Sequence, residues 1–416
     1  MIRKSRTIFH VLGAACITIT APIIISQPRC LAATADGYEN PPKTPVSKIL
    51  PPSMLQGKTY RVMDKADSAG MLYSLSLWTP FGWYYPHSLA MLKIRIAESQ
   101  ALETLQNMRN DPLFLQGLVD YTAGTINDTG KALFNPLQTI GRIPLGLEKF
   151  GHSIQARVNE GVVQGETGNL LNMEAKRKLA YNLGVDPYTD NPQLQNALNT
   201  VASHQNSGAL IAKVAQSFIP GGVGIAVSAA TLNSNIQSKL RDNSAPELQE
   251  ANRRALLQLG CGIAQVNNLL YAKGYTVTRS TAITDAMTEL SGVRGICQFL
   301  AFISTDNIPE ITLYEQMQIQ MAAGYNKRIK AITRLDILSN TPVFTDISGE
   351  RHVFAPLDIL YWGPLLDERL TKTKADGEKG TAHLWITGTA TDLAKSKLKE
   401  HTVTLHEKAE NVINEK

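Results

Sequence analysis

The first 35 residues constrain this chain more than any other stretch, because they decide where it folds. Arg3, Lys4 and Arg6 form a basic start, and an apolar run follows from Ile8 to Ile25. Ala33-Thr34-Ala35 then offers small residues where a signal peptidase cuts. The spacing predicts a cleaved leader over 1–35 and a mature chain that begins near Asp36, in the periplasm or secreted. The alternative is an uncleaved anchor, since about 18 apolar residues can just span a bilayer. Pro22 and the Ala-x-Ala favour cleavage.

Removing the leader changes two further arguments. It takes Arg3, Lys4, Arg6 and Arg29 out of 41 basic residues, which leaves 37 against 36 acidic ones. A nearly neutral chain lacks the positive field that collects phosphates, so nucleic acid is excluded as a partner. Cys16 and Cys30 leave with the leader, while Cys261 and Cys297 stay in a compartment where thiols can oxidise. The two could bond, or they could remain small buried thiols, because both sit in apolar helical context. A single pair offers no zinc spacing.

Patterning along the remaining chain predicts a mainly α fold. Residues 36–56 are Pro-rich and read as an extended lead-in; 57–87 read as a β-hairpin, with Thr59–Val62 pairing Tyr73–Leu77. A multi-helix body is expected over 88–340 and a small α/β cap over 341–416. Helix signals are clear at several points. Leu89, Leu92, Ile96 and Leu105 share one face of a helix over 88–109. Asn191-Pro192 makes an N-cap with Pro in the first turn, and Ser244-Ala-Pro-Glu247 is a capping box closed by Gly260. Ser280 is expected to cap another helix, and Pro309 to open the next. The cap region predicts strands at 342–345, 352–354, 383–387 and 403–405, with a helix from about Asp392.

Motifs of known chemistry almost form and fail. Gly124 to Ala132 resembles a phosphate loop but has five residues between its glycines and Ala where the Mg²⁺-binding hydroxyl belongs. Gly151-His-Ser153 lacks the second glycine of a nucleophile elbow. The seven histidines outside the leader include no His-Glu-x-x-His pair, and His401 and His406 are badly placed for one metal, so they read as a scattered surface set. No catalytic residue, cofactor or metal ligand is therefore assigned, and the chain leans away from being an enzyme.

Two segments carry the remaining hints. Trp78, Phe81, Trp83, Tyr84 and Tyr85 crowd together around Thr79-Pro80; the preferred reading is core packing onto the next helix, the alternative a surface that stacks a sugar or peptide. From Phe218 to Leu232 the chain is uncharged and rich in small residues. Phe218, Ile219, Pro220, Gly221, Gly222 and Gly224 mark a break between two apolar arms. A buried helical hairpin is the preferred reading there, and a membrane-inserting hairpin the alternative.

With those segments in view, the chain resembles a group of exported bacterial proteins without an assigned activity. The resemblance is carried by Thr79-Pro-Phe-Gly82, by Leu183-Gly-Val-Asp-Pro-Tyr-Thr189 with Pro192 and Leu194, and by Ile219-Pro-Gly-Gly222. Pro356-Leu-Asp-Ile359 with Trp362, and Leu384-Trp-Ile-Thr-Gly388, carry the rest. It implies an envelope setting and brings no catalytic residues. The expectation is an exported envelope protein with a binding or structural role, in contact with a membrane surface or an envelope component. The alternative is an envelope-polymer hydrolase whose carboxylates leave no linear motif.

Overall fold

Helix boundaries in the computed structural model follow local chemistry closely. The structure describes residues 37–107, 170–203, 232–272, 274–303, 308–375 and 382–410, all within one unit. The Asn191 side chain accepts from Gln193 N (3.1 Å) and Leu194 N (3.4 Å), opening a helix over Pro192–Ala202. Ser244 and Glu247 close their capping box at the head of Ala245–Gln258, and Gly260 follows that helix with φ +84°. Residues without a Cβ take this left-handed position at no steric cost. One cap lies elsewhere than expected. Thr276, not Ser280, caps Val277–Glu289, and the Ser280 hydroxyl donates back to the carbonyl of Thr276 at 3.1 Å.

The expectation of a mainly α fold with a small cap is wrong. The described residues are 51% helical and 19% strand, with four sheets, one of them five-stranded and mixed. In chain order the elements are β1 (Lys43–Pro45), α1 (Pro52–Leu55), β2 (Arg61–Val62), β3 (Lys65–Ala69), β4 (Leu72–Ser74), β5 (Leu77–Thr79) and β6 (Gly82–Tyr84). Helices α2 (Leu89–Asn107), α3 (Leu170–Asn182), α4 (Pro192–Ala202), α5 (Ser234–Asp242), α6 (Ala245–Gln258), α7 (Ile263–Tyr271), α8 (Val277–Glu289), α9 (Gln298–Phe302) and α10 (Pro309–Arg328) follow. The last part holds β7 (Ile332–Leu338), β8 (Thr341–Asp346), β9 (Arg351–Ala355), β10 (Ile359–Leu360), α11 (Pro364–Ala375), β11 (Ala382–Ile386), β12 (Thr389–Ala390), α12 (Asp392–Glu400) and β13 (Val403–His406).

The N-terminal hairpin is instead two three-stranded antiparallel sheets, ordered β1-β3-β4 and β2-β5-β6. The expected strand over Tyr73–Leu77 is split between them. Tyr73, Leu75 and Leu77 keep their alternation and are all buried, but the chain changes sheets at Leu75, whose N–H donates to Pro86 O. The larger sheet runs β13-β11-β9-β8-β7, parallel across its first three strands and antiparallel across the rest. Strand β7 hid inside what reads as helical body, because the strong helix ahead of it ends only at Arg328.

Two helices with polar residues on every face lie at the centre. Along α8 the hydroxyls of Thr281 and Thr284 donate to the carbonyls of Val277 and Ser280, each at 2.8 Å, so these polar side chains are buried without loss. In α10, Gln318 donates to Phe354 O at 2.8 Å and joins the helix to the sheet. The largest core cluster fills the space between α6–α10 and the five-stranded sheet. Gly388 lets the β11–β12 connection pass the chain at Asp358; a Cβ there would sit 1.9 Å from the Asp358 carbonyl oxygen. Cys261 and Cys297 form a disulfide with a Cα–Cα distance of 5.2 Å, inside the usual range for such bonds.

Candidate functional site

The aromatic cluster at Trp78–Tyr85 is divided by strand alternation. In β5 and β6 the register pairs Trp78 with Trp83 and Leu77 with Tyr84. Leu77 and Tyr84 turn inward, against the cluster that contains Leu92 and Ile96 of α2. Phe81 packs beside the helices α3 and α4. These two rings behave as the core reading expects. Trp78, Trp83 and Tyr85 do the opposite, being 43%, 50% and 43% exposed. Trp83 and Tyr85 lie nearly parallel, with centroids 6.4 Å apart, and Arg61, the register partner of Trp78, is exposed beside them. Full burial of such a side chain takes about 150–250 Å² from water, and roughly half of that is still exposed on each of the three. A face that leaves three uncovered therefore forgoes a substantial driving force, the usual mark of a binding surface.

Behind this sheet runs the loop between α3 and α4, a segment the sequence singled out by its closing Asn191-Pro192 cap and otherwise only by resemblance. Tyr84 OH donates to Gln193 at 2.6 Å, and Asn191 donates to Glu98 at 2.9 Å. Arg95 bridges Glu98 and Asp190 with two contacts of 2.8 Å, and Arg279 reaches Asp190 at 3.2 Å. Burial would raise the Asp190 carboxyl, but the two guanidiniums hold it well below the carboxylate range. Asp186 has hydrogen bonds from Thr278 and the Tyr188 N–H; burial outweighs them and pushes it up to about 6. Both face a cavity of about 570 Å³, counting its open mouth, whose other walls include Ile94, Leu313 and Gln316. Two nearby carboxyls with environments that push their protons apart are a recognised acid–base arrangement.

Three of the histidines are not scattered. His352, His383 and His406 lie on the neighbouring strands β9, β11 and β13, with His383 the register partner of His352. Trp385 stacks on His406 at 3.7 Å between ring centroids. His383 Nδ1 is 3.0 Å from His406 Nε2. An indole N–H can only donate, so the 3.2 Å contact from Trp385 makes His352 Nδ1 an acceptor. The neutral ring then carries its proton on Nε2, facing Asp346 Oδ2 at 3.3 Å and Tyr325 OH at 3.1 Å. Asp346, Glu350 and His352 have metal-ligand donor types within 4.8 Å of one another. Both nitrogens of His352 are nevertheless engaged, and Lys330 Nζ already bridges Asp346 (3.3 Å) and Glu350 (3.0 Å). The group is a closed network that needs no ion.

Period-2 alternation was the available signal for this cluster. His352-Val-Phe354 and His383-Leu-Trp385 place an imidazole and an aromatic ring on one face of each strand. Only the strand order makes them neighbours. The apolar segment with Phe218, Ile219, Pro220, Gly221, Gly222 and Gly224 lies outside the described residues, as do the near-motifs at Gly124–Ala132 and Gly151–Ser153. No described helix is long and apolar enough to cross a membrane. No family model, curated protein or solved structure matches this chain.

Proposed function

We propose that this is an exported envelope protein that binds a glycan through the outer face of the β2-β5-β6 sheet. The observation that carries the reading is the adjoining exposure of Trp78, Trp83 and Tyr85. The face of an aromatic ring is electron-rich and packs well against the C–H groups of a pyranose, which carry slight positive charge. Export is supported by the leader pattern and agrees with the Cys261–Cys297 disulfide, since such bonds persist in oxidising compartments. Cleavage after Ala35 would keep the first contacts of the fold, in which Glu39 accepts from Trp362 N and Thr391 Oγ1, each at 2.6 Å.

Co-sedimentation with insoluble envelope polysaccharide tests the binding role. The protein is expected in the pellet, and a Trp78→Ala/Trp83→Ala variant with an unchanged melting temperature in the supernatant. A wild-type protein that never pellets, or a variant that pellets equally, removes the reading. A fusion of residues 1–40 to a reporter active only outside the cytoplasm tests export separately. The membrane version rests on Phe218–Leu232, and flotation with liposomes decides it.

One observation favours a second reading, hydrolysis of the same polymer. Asp186, pushed up to about 6 in a cavity beside the ionised Asp190, has the proton affinity of a general acid. Release of new reducing ends, abolished in Asp186→Asn, would replace the binding role with catalysis. No release leaves the binding role standing.

A further inference from the structure

A second cavity, of about 640 Å³ counting its mouth, opens between α2, α10 and the loops that precede β10 and β12. Neither reading above uses it. Leu72, Leu313, Met317 and Pro356 give it apolar walls. Tyr314 also lines it; this residue is 4% exposed, and its hydroxyl has no hydrogen-bond partner. Burial, and after it the charge of Glu315, push the phenol upward, so it keeps its proton and stays a donor. A buried donor without an acceptor is costly, and the deficit ends when a ligand supplies one.

The charges around the cavity are unbalanced. Asp358, Glu310 and Glu410 line it with Lys93 as the opposing cation, and Lys93 sits 3.6 Å from Glu410. Asp358 is held in place by its backbone neighbours, since its Oδ2 accepts the N–H groups of Tyr73 and Leu89, each at 3.0 Å. Burial still pushes its carboxyl up to about 7 and raises Glu310, so the negative charge there is poorly solvated. A cation brought into the cavity would supply that missing solvation.

We propose that this cavity binds a small organic cation with a short apolar chain and a hydrogen-bond acceptor, an amino alcohol being the simplest such molecule. The ammonium meets Asp358 and Glu310, the chain lies along Leu313 and Met317, and the oxygen accepts from Tyr314 OH. The site is independent of the glycan reading.

Calorimetric titration of the purified protein with 4-amino-1-butanol tests it, with butylamine, 1-butanol and butyrate as comparisons. Saturable binding of the amino alcohol is expected, weaker binding of butylamine, and none of butyrate. Tyr314→Phe removes one unpartnered hydroxyl, so the fold should be no less stable, while the amino alcohol binds about tenfold more weakly. Asp358→Asn keeps an oxygen for the two N–H groups and should weaken binding by at least about tenfold. The proposal is overturned if the amino alcohol shows no saturable binding, if butyrate binds as well, or if Tyr314→Phe leaves its affinity unchanged.

Discussion

Two sheets of this molecule are rich in aromatic rings and treat them in opposite ways. On the mixed sheet, Phe344 and Phe354 are fully buried, and Tyr325 of α10 packs against His352, Phe354 and Trp385 at centroid distances of 4.4, 5.6 and 5.4 Å. On the β2-β5-β6 sheet, Trp78 and Trp83 stand in solvent. The residue types are the same and so is the alternation along each strand. What differs is whether a helix lies over the face. Rings beneath α10 hold the fold together, and rings that no described helix covers are left partly exposed, the feature on which the glycan proposal rests.

The largest test of that contrast is deletion of a covered ring. Phe354→Ala should cost about 3–5 kcal/mol, measured by denaturant unfolding, because a cavity opens where the sheet meets α10. Reducing the disulfide should come next. Cys297 lies just before α9, at the edge of the same core, and Cys261 is 36 residues away. Loss of the bond should cost up to about 4 kcal/mol on the chain-entropy account, seen as a lower melting temperature with reductant.

Titration should also separate the two regions. Burial, then the neighbouring His383 and His352, push His406 down to about 4 from its ordinary 6.5, and burial lowers His352 as well. The unfolded chain binds these protons first, so their contribution is full above about pH 6.5 and is lost as pH falls towards 4. Asp358 has the opposite sign. Its carboxyl is raised from 3.8 to about 7, so its contribution is present below pH 3.8 and is lost as pH rises through 7. The two windows overlap between about pH 4 and 6.5, where the contributions oppose each other. In unfolding measured from pH 4 to 9, Asp358→Asn should therefore make stability rise more steeply with pH up to about 7 and leave the slope above pH 7 unchanged. The exposed sheet has no titrating ring of this kind. There Trp83→Ala should change stability by no more than about 0.5 kcal/mol while abolishing glycan co-sedimentation.

Much of the helical framework was legible because its signals are local. Asn191-Pro192, the Ser244–Glu247 box and Gly260 act within a few residues, and each does in the fold what its chemistry predicts. The mixed sheet was less so. Strands β8, β9, β11 and β13 could be read singly, but β7 followed a long helix without a glycine or proline to separate them. Nothing in the spacing of His352, His383 and His406 says that the strands carrying them are neighbours. The carboxyl pairs were invisible for the same reason. Asp190 depends on Arg95 and Arg279, and Asp358 on the backbone at Tyr73 and Leu89, all far away along the chain.

The sequence alone determined the leader pattern, the near-neutral charge that remains without it, and which residues begin and end most helices. Those properties depend on composition or on contacts within one turn of chain. Tertiary structure decided which rings are covered, which carboxyls keep a proton and whether the two cysteines meet. Each of these depends on the company brought by distant segments: a helix laid over a sheet, a guanidinium beside a carboxylate, or burial without either.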